Sequence, residues 1–265
     1  MTMLSAIILT KNEEENIERC LKSLDFCEEI VVVDDYSTDK TIEKIQSSNF
    51  KFQIKSKIQI FKRKLDGNFS RQRNFGMEKA RGDWIFFVDA DEEVSKDLEK
   101  EIKRVMSYEL GVKRERIAYN IKRRDYFWGR ELRYGETAKI RKQGLIRLIR
   151  RNSGKWLGKV HEEFKVTNSK FKVQNLNSYI NHYPHQTIKE FIQQINFYST
   201  LRAKELHEKK YHTNIFEIIF YPLGKFIYGY FMILGFLDGQ AGFVYAFLMS
   251  FHSFLVRSKL FLYGR

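Results

Sequence analysis

The chain has 265 residues, 43% of them apolar and 15% aromatic, with two cysteines, two prolines and a formal charge of +14. That length and apolar content exclude a disordered chain, and two cysteines exclude a disulfide-built scaffold. The charge calls for an anionic partner: nucleic acid, a phospholipid surface or a phosphorylated substrate.

Leu4 to Leu9 reads as a compact apolar strand with no basic leader before it, so the N-terminal run is expected to be a strand and not a signal peptide. Asn12, with Glu15 three residues on, is expected to cap the next helix, whose apolar face is Ile17, Cys20, Leu21 and Leu24. Cys20 and Cys27 then fall in or near one helix as buried thiols, which points to a reducing compartment. Glu29 to Val33 is a second strand that stops in acid at Asp34 and Asp35, and Thr41, Ile42 and Ile45 begin a second helix. A weaker strand, Ile58 to Phe61, leads to Asp66-Gly67-Asn68, and Ser70 to Ala80 is again helical. Trp84 to Val88 is a continuous buried-strand run that ends in Asp89 and Asp91. In extended backbone those two carboxylates share a side, and a hard divalent ion bound together with substrate phosphates relieves their repulsion. A solvated acidic turn capping the helix near Ser95 is the alternative.

This alternation predicts a parallel sheet with helices on both faces and a ligand at the carboxyl ends of the strands. Thr10, Asn12, Asp34, Asp35, Asp66, Asp89 and Asp91 all fall there. No glycine follows the first strand, which excludes a dinucleotide fingerprint and a P-loop. Further on, Ile117 to Lys122 and Leu145 to Arg150 resemble strands. Between Lys122 and Lys172 stand 16 Lys/Arg against 5 Asp/Glu, a field suited to an anionic substrate. His161 and Glu162 within it read as a metal ligand, a general base or a surface ion pair. His182 and His185 lack a helix or strand to fix them, which makes them weak metal ligands. Ile188 to Lys210 has helical spacing. Ile215 to Tyr263 is rich in Phe, Tyr, Leu and Ile, and its longest uncharged stretch, Gly239 to Val256, is borderline for the roughly 20 residues of a membrane span. Aromatics beside Lys225, Arg257, Lys259 and Arg265 suit helices lying in a bilayer interface against anionic lipid. A helical hairpin packed on protein is the alternative.

Taken together, ILTKNEE, VVVDDYSTD, QRNFGMEKARGDWIFFVDADEE and W-x-G-x-VHEE resemble a family 2 glycosyltransferase, over about residues 3 to 165. With the aromatic tail containing GFLDGQAGF, the chain is similar to the bacterial lipopolysaccharide core glucosyltransferase group. The resemblance implies an α/β fold of the GT-A (Rossmann-like) type, a mostly parallel sheet flanked by helices, with a C-terminal helical appendage on the membrane surface. It implies a catalytic domain over 1–185, with a nucleotide-sugar half at 1–106 and an acceptor half at 107–185, followed by a helical region at 186–265. Thr10 and Asp35 match positions that hold the nucleotide base, with Asn12 and Glu13 flanking them. Arg73 and Asn74 match a segment beside the nucleotide, with Gln72 replacing the common alanine. Asp89 matches the carboxylate near the ribose, and Asp91 the one that binds Mg²⁺ or Mn²⁺. The implied reaction is an inverting transfer of a hexose from a UDP-sugar to an anionic glycolipid or lipopolysaccharide acceptor, at the cytoplasmic face of the membrane and without nucleic acid. The general base then stands on the acceptor side, at Glu162 or Asp125. Glu162 is preferred, because Trp156 could wall a sugar ring and His161 could approach the metal. Arg147 is a candidate for an acceptor or donor phosphate. A sugar-phosphate nucleotidyltransferase and a basic nucleic-acid-binding protein are the alternatives; the first lacks its glycine-rich loop and the second has no use for the acid cluster.

Overall fold

The computed structural model describes residues 2–52, 56–108, 116–159, 162–167, 172–184 and 187–264. The chain divides into two compact units, 1–123 with 142–182, and 124–141 with 183–265. His161 and His185 lie outside the described residues.

The first unit opens with β1 (Leu4–Thr10), α1 (Ile17–Ser23), β2 (Glu29–Asp34), α2 (Thr41–Phe52), β3 (Lys57–Lys62), α3 (Phe69–Lys79) and β4 (Trp84–Asp89). β5 (Glu92–Val94), α4 (Lys96–Tyr108) and β6 (Arg116–Phe127) follow, β6 passing into the second unit after Arg123. The second unit contains β7 (Arg130–Leu132), and α5 (Ala138–Gln143) leads back to the first. There β8 (Leu145–Arg150), β9 (Gly154–Leu157), β10 (Glu163–Val166) and β11 (Lys172–His182) complete it. The main sheet runs β3-β2-β1-β4-β8-β6-β11-β5, and β9 and β10 form a separate antiparallel pair.

The sheet is flanked by helices as expected, with a parallel part and an antiparallel part. β3, β2, β1 and β4 are parallel, but β4 pairs antiparallel with β8, β8 with β6, and β11 with β5. The helices α1, α2 and α3 supply the crossovers that the parallel pairing of the first four strands needs.

Alternation sorts the strands between two cores. Leu4, Ala6, Ile8, Ile30, Val32, Trp84, Phe86 and Val88 face α1, α2 and α4, where both free cysteines are also buried. Ile7, Val31, Val33, Ile85 and Phe87 face α3 and the β9–β10 pair through Ala80, Trp156 and Phe164.

Two local expectations fail. Asn12 does not cap α1; it has φ +54, and its side chain accepts from the Thr38 backbone N–H at 2.8 Å. The helix starts later, after Asn16, because residues 12–16 turn to meet the loop that follows β2. Asp89 and Asp91 do not share one strand face either. β4 ends at Asp89, and a tight turn closes when the Asp89 N–H donates to Glu92 at 2.9 Å. The cap of α4 comes from Ser95, whose hydroxyl accepts from the Leu98 N–H at 3.2 Å.

In the second unit, α6 (Ile188–Glu208) and α8 (Gly239–Tyr263) enclose a core of Phe127, Leu132, Phe191, Ile195, Ala241 and Leu248, and α7 (Ile215–Ile227) packs along α8. A capping box of Thr187 and Glu190 starts α6. A π-turn over Tyr228–Met232 and a 3-10 turn over Gly235–Asp238 join α7 to α8.

Candidate active site

The carboxyl ends of β1, β2 and β4 carry Thr10, Asp34 and Asp89 side by side, because Thr10 is registered with Asp34 and Leu9 with Asp89. Around them the first unit gathers most of the expected residues. Glu162, Arg73, Asp89, Arg147 and Glu92 form one continuous chain of ion pairs. Arg73 donates to Glu162 at 3.0 Å and to Asp89 at 3.1 Å. Arg147 donates to the other oxygen of Asp89 at 2.8 Å and to Glu92 at 2.7 Å. Arg147 and Glu92 are buried, Glu92 completely.

Burial opposes the charge on Asp89, but Arg147 and Arg73 outweigh it and hold the carboxyl well below the usual range. Burial likewise opposes the charge on Arg147, and Asp89 and Glu92 raise its pKa in return. Asp91 faces elsewhere, with its oxygen 3.2 Å from His182 Nε2. Burial disfavours its ionisation too, and His182 restores it. Glu13 completes this second group. Its carboxyl accepts from Asn16 at 2.9 Å, yet burial first, and then the negative charge of Asp91, push its pKa up to about 8.

The acid pair is thus asymmetric: Asp89 is neutralised by two guanidiniums, whereas Asp91 and Glu13 share one imidazole as their nearest cationic partner. Two buried carboxyls that do not both ionise without a further cation, presented on hard oxygen donors, fit a divalent ion. Among the described residues no group of three or more His, Cys, Asp or Glu side chains forms a complete cage. A cation here would therefore draw further ligands from a bound diphosphate and water, the usual manner of Mg²⁺.

The buried polar atoms with no hydrogen-bond partner among the described residues include the Thr10 hydroxyl, Arg73 Nη1 and Trp156 Nε1. Buried polar atoms are rarely left this way, and a bound ligand is one source of the missing partner. The Trp156 ring itself is packed inside, edge-on to Phe87 at 5.1 Å and under the Arg73 guanidinium at 5.1 Å. Asn74 holds it there by bonding both the N–H and the carbonyl of the Trp156 backbone, each at 2.9 Å. Near the first two strands, Lys11 binds the Asp35 carboxylate at 3.0 Å, and Asp35 also accepts from the Leu65 N–H at 3.0 Å. Asp125 belongs to the second unit, buried opposite Leu132 in the β6–β7 hairpin.

Glu92 is the site residue that sequence reasoning missed, and His182 the one it set aside for want of an element to fix it. Glu92 stands three residues beyond Asp89, near enough to have been read as part of the same turn. His182 is the last residue of β11, registered opposite Glu92, and that strand has no clear apolar alternation to announce it.

The raised Glu13 carboxyl gives a signed pH dependence. Between pH 4.5 and about 8 the folded state holds a proton that the unfolded state has released, so stability falls as pH rises through that window. Glu13→Gln removes the effect. In metal-free urea melts, the wild type will lose roughly 2 kcal/mol more than Glu13→Gln between the acid and alkaline ends of the window. Equal losses would contradict the burial of Glu13 beside Asp91.

The family model described as Glycosyl transferase family 2 matches residues 5–165. The lipopolysaccharide core biosynthesis glycosyltransferase LpsC of Rhizobium meliloti is 31% identical over 92% of this chain and 89% of its own. Among solved structures, S. aureus TarS 1–349 in complex with UDP-GlcNAc superposes with a TM-score of 0.51 at 18% identity, covering 99% of this chain and 91% of the other. The mannosyltransferase PcManGT from Pyrobaculum calidifontis, in complex with GDP-Man and Mn²⁺, gives a TM-score of 0.55 at 14% identity, covering 78% and 64%. At such identities these two structures speak to the fold, which is of the GT-A type.

Proposed function

Because the chain belongs to glycosyl transferase family 2, we propose that it moves a hexose from a UDP-sugar to a lipopolysaccharide-core or related glycolipid acceptor with inversion. The observation that carries this reading is the asymmetry of the acid pair, one carboxylate locked to two arginines and the other held by a single imidazole beside Glu13, whose ionisation needs a further cation. Thr10 and Asp35 are assigned to the nucleotide base, on the resemblance alone. Asp91, with Glu13 and His182 at hand, would hold Mg²⁺ or Mn²⁺, in keeping with the Mn²⁺ in the Pyrobaculum enzyme of this fold. The ion supplies charge neutralisation to the departing diphosphate. Arg73 contributes through Nη1, a preorganised donor for the negative charge that grows on the leaving group. Its other nitrogens keep Asp89 and Glu162 in place.

Glu162 is the proposed general base. One oxygen is fixed by Arg73, and the second has no protein partner among the described residues, leaving it to take the acceptor hydroxyl proton. The acceptor class is carried over from the Rhizobium relative, whose printed role is in lipopolysaccharide core biosynthesis.

A lipid-borne acceptor suits the second unit. Phe216, Ile219, Phe220, Leu223 and Ile227 line one face of α7, and each is at least half exposed. The charges nearby are turned inward: Lys225 pairs with Glu136 at 3.0 Å, Arg257 stacks on Tyr221 at 4.2 Å, and Lys259 bonds Asn196 at 2.7 Å. The segment Gly235–Tyr263 is long and apolar enough to cross a membrane by length and composition. It is nevertheless bound along α6, whose Lys189, Arg202, Lys204 and Glu205 could not follow it into hydrocarbon without a large cost. The helices are therefore assigned to the membrane surface, on the cytoplasmic side.

A screen of UDP-, GDP- and dTDP-sugars for Mn²⁺-stimulated hydrolysis tests the activity. A UDP-hexose is the expected substrate, and Glu162→Gln will bind it normally while losing acceptor transfer by about a hundredfold or more. No turnover of any nucleotide sugar would overturn the reading, and full transfer by Glu162→Gln would reassign the base.

A further inference from the structure

The β9–β10 pair stands apart from the main sheet, yet it carries Glu162, which immediately precedes β10. Trp156 and Phe164 anchor the pair in the core shared with Ile7 and Phe87. Apolar burial is non-directional, so it does not by itself fix where a neighbouring carboxyl points. Directional contacts come from α3. Phe69, its first residue, donates its backbone N–H to the Lys159 carbonyl at 2.9 Å. Arg73 donates to Glu162 at 3.0 Å and lies over the Trp156 ring at 5.1 Å. Asn74 accepts from the Trp156 N–H through Oδ1 and donates to the Trp156 carbonyl through Nδ2, each at 2.9 Å.

Phe69, Arg73 and Gly76 follow one another at intervals of four and three, so they fall on one face of α3, with Asn74 on its flank. Gly76 sets that face close against the sheet: a Cβ there would stand 2.5 Å from Ile7 Cγ2. From this position Arg73 reaches Asp89 at 3.1 Å with one nitrogen and Glu162 with another. The helix is thus a bracket between the end of β4 and the hairpin. Within a strand the N–H and C=O of one residue point to the same edge, so Asn74 closes the edge of β9 that β10 does not use. Its amide reproduces the donor–acceptor pair that a further strand would offer, and both of its polar atoms are engaged there.

We propose that Asn74 is a positioning residue for Glu162: it fixes the hairpin that carries the base, and it does not bind the nucleotide. The inference rests on the assignment of Glu162 in the preceding section. Arg73 restrains one carboxyl oxygen of Glu162, and Asn74 restrains the backbone on which that carboxyl is mounted. Without the clamp the carboxyl still meets Arg73 but no longer keeps one place relative to the end of β4. A displacement of about 1 Å in a reacting group costs on the order of a hundredfold in rate.

Asn74→Ala in the full chain tests this. Hydrogen exchange at the Trp156 amide will quicken by about tenfold or more, while the amides of β4 stay as protected as in the wild type and report a folded protein. Calorimetric affinity for UDP with Mn²⁺ will stay within about twofold, where loss of a nucleotide ligand would cost about tenfold. With UDP-glucose as donor and rough lipopolysaccharide as acceptor, kcat will fall by about thirtyfold and the donor KM will not change. In the Glu162→Gln background the same substitution will cost less than about threefold, because the group it positions is already gone. Ser95→Ala, which removes the hydroxyl that caps α4, is the control for simple destabilisation and will keep the wild-type kcat. Unchanged exchange at Trp156, lost protection in β4, a parallel loss of UDP affinity, or an undiminished effect in the Glu162→Gln background would each overturn the proposal. Absence of transfer by the wild type would instead remove Glu162 as a base together with the glycosyltransferase reading. The exchange measurement would then still decide the clamp, so the two failures are distinguishable.

Discussion

Arg147→Ala will destabilise the protein by roughly 3–5 kcal/mol, the largest stability effect expected of any single change at the site. A single nitrogen of Arg147 serves two carboxylates, Asp89 at 2.8 Å and Glu92 at 2.7 Å. Glu92 is fully buried, so removing the guanidinium leaves a carboxyl with neither solvent nor counter-charge. The compensating change is Glu92→Gln. In urea melts the pair Arg147→Ala/Glu92→Gln will be less damaging than the sum of its parts by about 1–3 kcal/mol. A cost for Arg147→Ala below about 1 kcal/mol would mean that the ion-pair chain through Asp89 does not hold the site together.

Asp91→Asn is expected to have the opposite profile, a large loss of activity with little loss of stability. The substitution keeps the shape of the side chain and removes the charge that a divalent ion and the diphosphate depend on. Transfer will fall by about 10³-fold, the scale of deleting one preorganised electrostatic group. Stability will stay within about 1 kcal/mol of the wild type, because two effects oppose each other. Asp91 loses its ionic contact with His182, but Glu13 is relieved of the neighbouring charge that helps raise its pKa to about 8. The downward slope of stability with pH will flatten accordingly. A variant that unfolds, or one that keeps near-normal turnover, would show that Asp91 has a structural role and not the role assigned here.

These two residues show how far the chain could be read before folding. The first, second and fourth strands were legible because their apolar runs are buried on both faces, whereas the weaker third, only partly buried, was legible from its place between two helices. The polar groups at their carboxyl ends could then be placed by topology alone. Thr10, Arg73, Asp89, Arg147 and Glu162 do meet, or lie on adjacent strands, in the first unit. The conformation of DADEE was not legible. An alternating reading assumes extended backbone, and one backbone bond to a glutamate three residues on ends the strand at Asp89. The cap expected of Asn12 failed for a similar reason, since its side chain found a partner 26 residues away in the loop after β2. His182 was discounted for want of a supporting element. β11 supplies one, but its sequence, KVQNLNSYINH, carries too little alternation to announce it. Long-range pairing decides all three, and a local pattern does not contain it.

Calorimetric titration of the full chain with UDP, with and without Mn²⁺, tests the central claim most directly. Wild-type protein will bind UDP at least tenfold more tightly with the ion present, and Asp91→Asn will retain only the weak, ion-independent affinity. Equal affinity under both conditions, unchanged by Asp91→Asn, would contradict the assignment of the diphosphate to the end of β4.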